Sequence, residues 1–267
     1  LGETVIVKDR GALCFTEERM GGLRVRHRAG YAICTLVFGL LVVAVPALAQ
    51  AEDAQVAFAA NIEKCKAHLA VSAELYAKGD RTAALHASHP IQEIGNKVIG
   101  PASKISAELG DKVRAALRRP SADLKGGSSP PQYDQVVREA GAALDEAVER
   151  VVPKERRTSL TFRARVLADL LLGTATEYQE AYNAGKITQM VEYQDAYAFF
   201  KRAQALHRDL APALRAKDPA LARELDGQLA ALARALPGLT PPAQPMSADR
   251  IQAAAAALAK SLASASD

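Results

Sequence analysis

The chain has 267 residues, of which 49% are hydrophobic, and its 34 Lys and Arg against 30 Asp and Glu leave a formal net charge of +4. That small excess excludes a polybasic nucleic-acid or membrane-surface binder, and the apolar content is that of a folded chain, not a disordered one. Three cysteines are too few for a disulfide framework, so the fold must rest on its core.

Arg24, Arg26 and Arg28 precede an apolar run from Ala32 to Val45, and Pro46-Ala47-Leu48-Ala49 then places small residues three and one positions before Gln50. This order predicts a secretory signal peptide cleaved after Ala49, with Met20 at the right distance to start it. Residues 1–49 are therefore read as an upstream extension and signal peptide, and the mature chain as periplasmic. The alternative is an uncleaved anchor, because the run approaches the roughly 18–20 residues that span a bilayer. Beyond Gln50 no second hydrophobic stretch is long enough to span. The first 49 residues hold six basic and four acidic side chains, so 28 basic and 26 acidic remain, and Cys65 is the one cysteine left.

Along the rest the period is helical. Val56, Ala59, Ile62, Cys65, Leu69 and Ala73 form one apolar stripe over residues 53–78, which Gly79 ends and after which Asp80 caps the next helix. Pro90 is expected to push His89 out of helical geometry and to open a new helix carrying Ile91, Ile94, Val98 and Ile99. Gly100-Pro101 is read as an interruption, with Ile105 and Leu109 beyond it, and Gly110-Asp111 as a restart through Val113 and Leu117. Residues 119–132, RPSADLKGGSSPPQ, lack a period and are read as a linker or long loop. Tyr133, Val136, Val137, Ala140, Leu144, Ala147, Val148 and Val151 then give the cleanest 3.6-residue pattern, stopped at Pro153. Leu160, Val166, Leu167, Leu170 and Leu171 lead into a further helix, and Phe199, Ala203, Leu206 and Leu210 into another that ends at Pro212. Asp218-Pro219 starts a helix with Leu221, Leu225, Leu229, Leu232 and Leu236, and Ser247 caps a last, Ala-rich one.

Six of the ten aromatic residues after Gln50 fall within 176–200. There Glu177-Tyr178-Gln179-Glu180-Ala181-Tyr182 returns as Glu192-Tyr193-Gln194-Asp195-Ala196-Tyr197, with Asn183-Ala184-Gly185-Lys186 between the copies. This predicts a helical hairpin in which Tyr178 meets Tyr193 and Glu177 meets Gln194. No window alternates with period two, so the fold class is all-α. The expected architecture is a helical bundle in two lobes: residues 50–118, the 119–132 linker, a C-terminal bundle over 133–240, and a Pro-rich connection with a terminal helix over 241–267.

Two groups of residues are candidates for metal chemistry. His68, His86 and His89 are three of only four histidines after Gln50, and folding at Gly79-Asp80 sets His68 a turn from His89, with Glu93 one turn beyond. Imidazoles with a carboxylate suit iron, zinc or copper. The second group is Glu177, Glu192 and Asp195, facing each other across the hairpin; helical bundles build di-iron sites from such carboxylates, usually with a histidine three residues on, which neither copy supplies. Tyrosines that pack the hairpin and carboxylates that face water or bond the tyrosine hydroxyls are the structural alternative. Cys65, three residues before His68, is a possible thiolate, and a buried inert thiol fits its apolar stripe better. The chain holds no Cys-x-x-Cys-His, His-Glu-x-x-His, Gly-x-Ser-x-Gly or phosphate-binding Gly-rich loop, so an enzyme is not expected.

Leu75-Tyr76-Ala77-Lys78-Gly79-Asp80 with His86-Ala87-Ser88-His89-Pro90, and Val191-Glu192-Tyr193-Gln194-Asp195-Ala196-Tyr197, resemble the imelysin-like group of exported helical bundles and the extracytoplasmic helical extensions of high-affinity iron permeases. The resemblance covers about a quarter of the chain. Where the imelysin-like group carries His-x-x-Glu, this chain has His89-Pro90-Ile91-Gln92-Glu93, one residue longer. Tyr76-x-x-Gly79-Asp80-x-x-x-Ala84 is also similar to the turn of a tetratricopeptide repeat, without the 34-residue recurrence of an array. The iron-permease and imelysin-like resemblance implies iron or haem handling outside the cytoplasm. The expected function is thus a periplasmic metal- or haem-handling protein with His68, His86, His89 and Glu93 as ligands and a membrane permease or other envelope protein as partner. The alternative is a structural or adaptor bundle that docks a protein through its aromatic hairpin.

Overall fold

The coordinates are a computed structural model that describes the backbone of residues 32–265 and the side chains of residues 50–265. The expected leader, residues 1–49, lies outside the residues described with their side chains. Among those residues no helix is long and apolar enough to cross a membrane. Ala47–Asp267 forms one compact unit.

Helix α1 (Ala32–Ala77) carries the predicted stripe, with Ile62, Cys65 and Leu69 fully buried. Gly79 ends it at φ +73°, where an L side chain would be strained, and the amides of Gly79 and Asp80 bond back to the carbonyls of Tyr76 and Leu75. Asp80 then accepts from the backbone N–H and the hydroxyl of Thr82 at 2.8 and 2.7 Å, turning the chain into α2 (Ala83–His89).

Prolines correct the sequence reading in four places. His89 keeps helical angles of −52° and −46°, and a single π-helical turn, Pro90–Ile94, joins α2 directly to α3 (Gly95–Ile105). The wider turn gives the pyrrolidine ring room that an α-turn would deny it. Pro101 lies inside α3, Pro120 inside α4 (Ala107–Lys125), and Pro212 inside α8 (Met190–Lys217), which runs on past it. The expected 119–132 linker therefore shrinks to the four residues 126–129, because helix α4 continues to Lys125 and α5 (Pro130–Val151) starts at the capping box of Ser129 and Gln132. Burial of Pro120 within the bundle helps offset the lost helical hydrogen bond. The restart after Ile105 comes from Ser106, whose hydroxyl accepts the Leu109 amide at 3.1 Å. Gly110 is instead a point of close approach: a Cβ there would lie 2.0 Å from Ser103 Oγ.

After the short α6 (Lys154–Thr158) come α7 (Leu160–Ala181), α8 (Met190–Lys217), α9 (Pro219–Ala235) and α10 (Ala248–Ala263). Each packs against the next and α10 closes back on α7, so these four make a square bundle. The α7–α8 connection, over the Asn183-Ala184-Gly185-Lys186 stretch between the two copies, is a two-residue hairpin, β1 (Tyr182–Asn183) against β2 (Lys186–Ile187), with Ala184 and Gly185 both at positive φ. All-α therefore describes the fold. Its apolar interior has two centres. One lies among α7–α10 with the end of α1, around Leu170, Tyr193 and Phe199; the other lies among the earlier part of α1 and α3–α5, around Ile62, Val113 and Leu144. Helices α1 and α7 feed both, so the two lobes share walls.

Candidate metal centre

The site forms where α1, α2, α7 and α8 meet. Ser72, one turn after His68 on α1, donates to the Ala83 carbonyl at 2.7 Å and accepts from the Tyr133 hydroxyl at 2.7 Å. This clamp fixes the start of α2 against α1, which in turn fixes His86 and His89 beside His68. From the opposite side α8 presents Asp195.

All three imidazoles converge on that one carboxylate. His68 Nδ1 and His86 Nδ1 lie 2.6 and 2.7 Å from Asp195 Oδ1, and His89 Nδ1 lies 2.9 Å from Oδ2. His68, His86 and Asp195 are 1%, 0% and 0% exposed, and the His89 ring stands edge-on to the rings of His68 and His86 at 5.3 and 5.6 Å. An isolated carboxylate buried this deeply would cost several kcal/mol. Burial pushes the Asp195 carboxyl up, but the charge of His68 and the hydrogen bonds from His68, His86 and His89 outweigh it and hold the group well below the usual carboxylate range. Burial likewise opposes a charge on His89, while its bond to Asp195 and the nearby charges of Asp195, Glu93 and Glu192 raise it above the ordinary imidazole value.

Gln194, beside Asp195, extends the network. Its side-chain Oε1 position lies 2.9 Å from His86 Nε2 and 3.2 Å from Thr82 Oγ1. Thr82 gives its proton to Asp80 and a neutral His86 spends its own on Asp195, so the amide end that faces both must donate, which the NH2 group does after a half-turn of the amide. His68 Nε2, by contrast, is buried with no hydrogen-bond partner. When the ring is neutral and its Nδ1–H donates to Asp195, that nitrogen carries a free lone pair, the form in which imidazole binds a metal.

A second group opens from the same carboxylate. Oxygens of Glu177, Glu192 and Asp195 lie within 4.8 Å of one another, as do the ligand atoms of His68, His86, His89 and Asp195. Glu177 and Glu192 are half-buried. Burial and the neighbouring charges of Asp195, Glu180, Glu192 and Glu93 push Glu177 up to about 8, and burial together with Asp195 raises Glu192 as well.

Of the residues singled out from sequence, the structure brings His68, His86 and His89 together and places Asp195 in both groups. It leaves Glu93 outside: that side chain is 51% exposed and 3.7 Å from His89 Nδ1, because the wide turn at Pro90–Ile94 carries it toward the surface. Asp195 stands where Glu93 was expected. Glu177 faces Glu192 and Asp195, while Gln194 turns to His86. Cys65 sits in the N-terminal core, where burial pushes its thiol up to about 12, so it stays protonated and inert. Gln194 is the polar member that sequence reasoning missed, and its place beside Asp195 in the repeated hairpin was the available signal.

Comparison with known proteins adds one finding. Residues 153–267 match the family described as the iron permease-associated 4-helix bundle domain. Its span is that of α6–α10, which agrees with the square bundle and with the iron-permease part of the resemblance; it does not bear on the imelysin-like part. No curated protein and no solved structure matches the chain. Glu177, Glu192 and Asp195 lie inside the matched span and the three histidines lie before it, so the centre joins the matched helices to helices the match does not reach.

Proposed function

We propose that this protein binds a transition-metal ion through His68, His86, His89 and Asp195 and handles that ion, iron first among the candidates, outside the cytoplasm in association with a membrane permease. The observation that carries the reading is the convergence of three imidazole nitrogens on one buried carboxylate, beside a buried His68 Nε2 that no protein group satisfies. Ligand atoms around a first-row metal, with bonds of about 2.0–2.1 Å, stand roughly 3 Å apart. The 2.6–2.9 Å nitrogen–oxygen separations of the centre are close to that spacing. Imidazole with carboxylate suits iron, zinc and copper.

The link to iron uptake rests on the match of residues 153–267 to an iron permease-associated domain, and the extracytoplasmic location on the signal-peptide pattern before Gln50. A bare ion fits better than haem, because rings 5.3 and 5.6 Å apart leave no slot for a flat macrocycle between them. The test is calorimetric titration of the untagged protein with ferrous iron under nitrogen, and with zinc. His89→Ala should weaken binding tenfold or more, and the triple variant His68→Ala/His86→Ala/His89→Ala should abolish it. Because protons compete for the ring nitrogens, affinity should fall as pH drops through about 6.5. A triple variant that keeps its helical circular dichroism and binds as tightly as the parent would sink the site and return the chain to an adaptor role.

A further inference from the structure

The two ligand groups are not separate, and their sharing of Asp195 has a geometric meaning. His68 and His86 occupy Oδ1 of that carboxylate while His89 occupies Oδ2, and Glu177 and Glu192 approach the same residue. The six residues are distributed over four helices in a definite way. Helices α1 and α7 give one each, His68 and Glu177; α2 and α8 give a pair each at i, i+3, His86 with His89 and Glu192 with Asp195. One ligand from each of two helices, and an i, i+3 pair from each of two more, is the layout by which helical bundles hold two metal ions. The usual pairs are Glu-x-x-His; here the histidines gather on α1 and α2 and the carboxylates on α7 and α8. That segregation is why the hairpin by itself lacks a histidine.

Charge points the same way. Asp195, Glu177 and Glu192 together carry three negative charges against the two of a single divalent ion among the imidazoles, and Glu177 and Glu192 lie half-buried, side by side and without a hydrogen-bonding partner among the described residues. Two such carboxylates repel each other and Asp195. A second divalent ion between them removes that repulsion. The first ion is called for by the three Nδ1 atoms that lie within 2.9 Å of the Asp195 oxygens, where a metal takes the place of the ring protons.

We propose that the centre is dinuclear: an inner ion held by His68, His86 and His89 and an outer ion held by Glu177 and Glu192, with Asp195 bridging the two. This deepens, and rests on, the metal-binding reading. Bridged ions stand about 3.5–4 Å apart, and the half-buried carboxylates of the outer position are more exposed than the buried His68 and His86 of the inner one.

Native mass spectrometry of the full exported chain, loaded with ferrous iron under nitrogen, should show two ions per chain. Glu177→Gln/Glu192→Gln, which replaces groups that have no hydrogen-bonding partner and so leaves the fold intact, should show one. With manganous ion in place of iron, the parent should give the exchange-coupled electron spin resonance of a close pair and the Gln variant the spectrum of an isolated ion. One ion per chain in the parent, unchanged in the Gln variant, overturns the dinuclear centre and leaves the histidine site standing. Two ions retained by the Gln variant overturn the assignment of the outer ligands. No ion in the parent overturns the metal reading itself.

Discussion

Asp195 is the residue on which three imidazoles depend, and its neighbours set a pH dependence that can be worked out group by group. Its carboxyl lies below the usual range in the fold, so the stability it contributes is present above about pH 4 and lost as acid protonates it. Glu177 acts in the opposite sense. Its value rises from 4.5 to about 8, so between those values the folded chain holds a proton that the unfolded chain has released, and stability falls as pH rises through this window. His89, also raised, contributes stability below about 6.5 that disappears as pH passes its folded value. The metal-free protein should therefore be most stable near pH 5–6 and weaken toward pH 8. Glu177→Gln should flatten that decline and gain on the order of 1–2 kcal/mol at pH 8, after allowance for its partial exposure. Urea denaturation with chelator at pH 5.5 and 8 measures it; a Gln variant as pH-sensitive as the parent would contradict the assignment. The histidines and the carboxylate group of Glu177, Glu192 and Asp195 were legible in the sequence as candidates. Their union was not, because Asp195 meets His68 across 127 residues of chain and no local period encodes such a contact.

At the scale of the element, the aromatic hairpin is a packing device that carries the site on its back. Tyr178 and Tyr193 are fully buried, with ring centroids 6.2 Å apart as the repeat predicts, and the Tyr178 hydroxyl donates to the Met246 carbonyl at 2.7 Å. Tyr197 is only half-buried, with Lys201 over its ring at 5.7 Å. Tyr193→Ala should cost about 3–5 kcal/mol and Tyr197→Ala clearly less, while Tyr178→Phe should cost about 1 kcal/mol for its hydrogen bond. Thermal melts rank the three; equal losses at Tyr193 and Tyr197 would mean that both rings lie in the core. The apolar stripes of α1, α5 and α9 could be read directly because burial imposes the helical period on them. The prolines could not. Pro90, Pro101, Pro120 and Pro212 all read locally as breaks, yet each lies within a helical segment supported by tertiary packing.

For the molecule as a whole, the match to the iron permease-associated bundle stops short of the histidines, so the centre is assembled only when the earlier helices pack against α7 and α8. Fold class followed from periodicity; the shared walls of the two lobes did not, since α1 and α7 each serve two cores and a stripe on one helix does not say how many partners it has. The central claim is that imidazoles from α1 and α2, with Asp195 of α8, bind metal as one unit. X-ray absorption at the iron edge of the untagged, iron-loaded protein tests it most directly. Outer-shell scattering from imidazole is expected, about three rings per iron with one ion bound and about one to two per iron with two, with nitrogen or oxygen neighbours at about 2.0–2.2 Å, and that scattering should be lost in His68→Ala/His86→Ala/His89→Ala. An iron environment of oxygen alone in the parent, unaffected by the triple substitution, would contradict it.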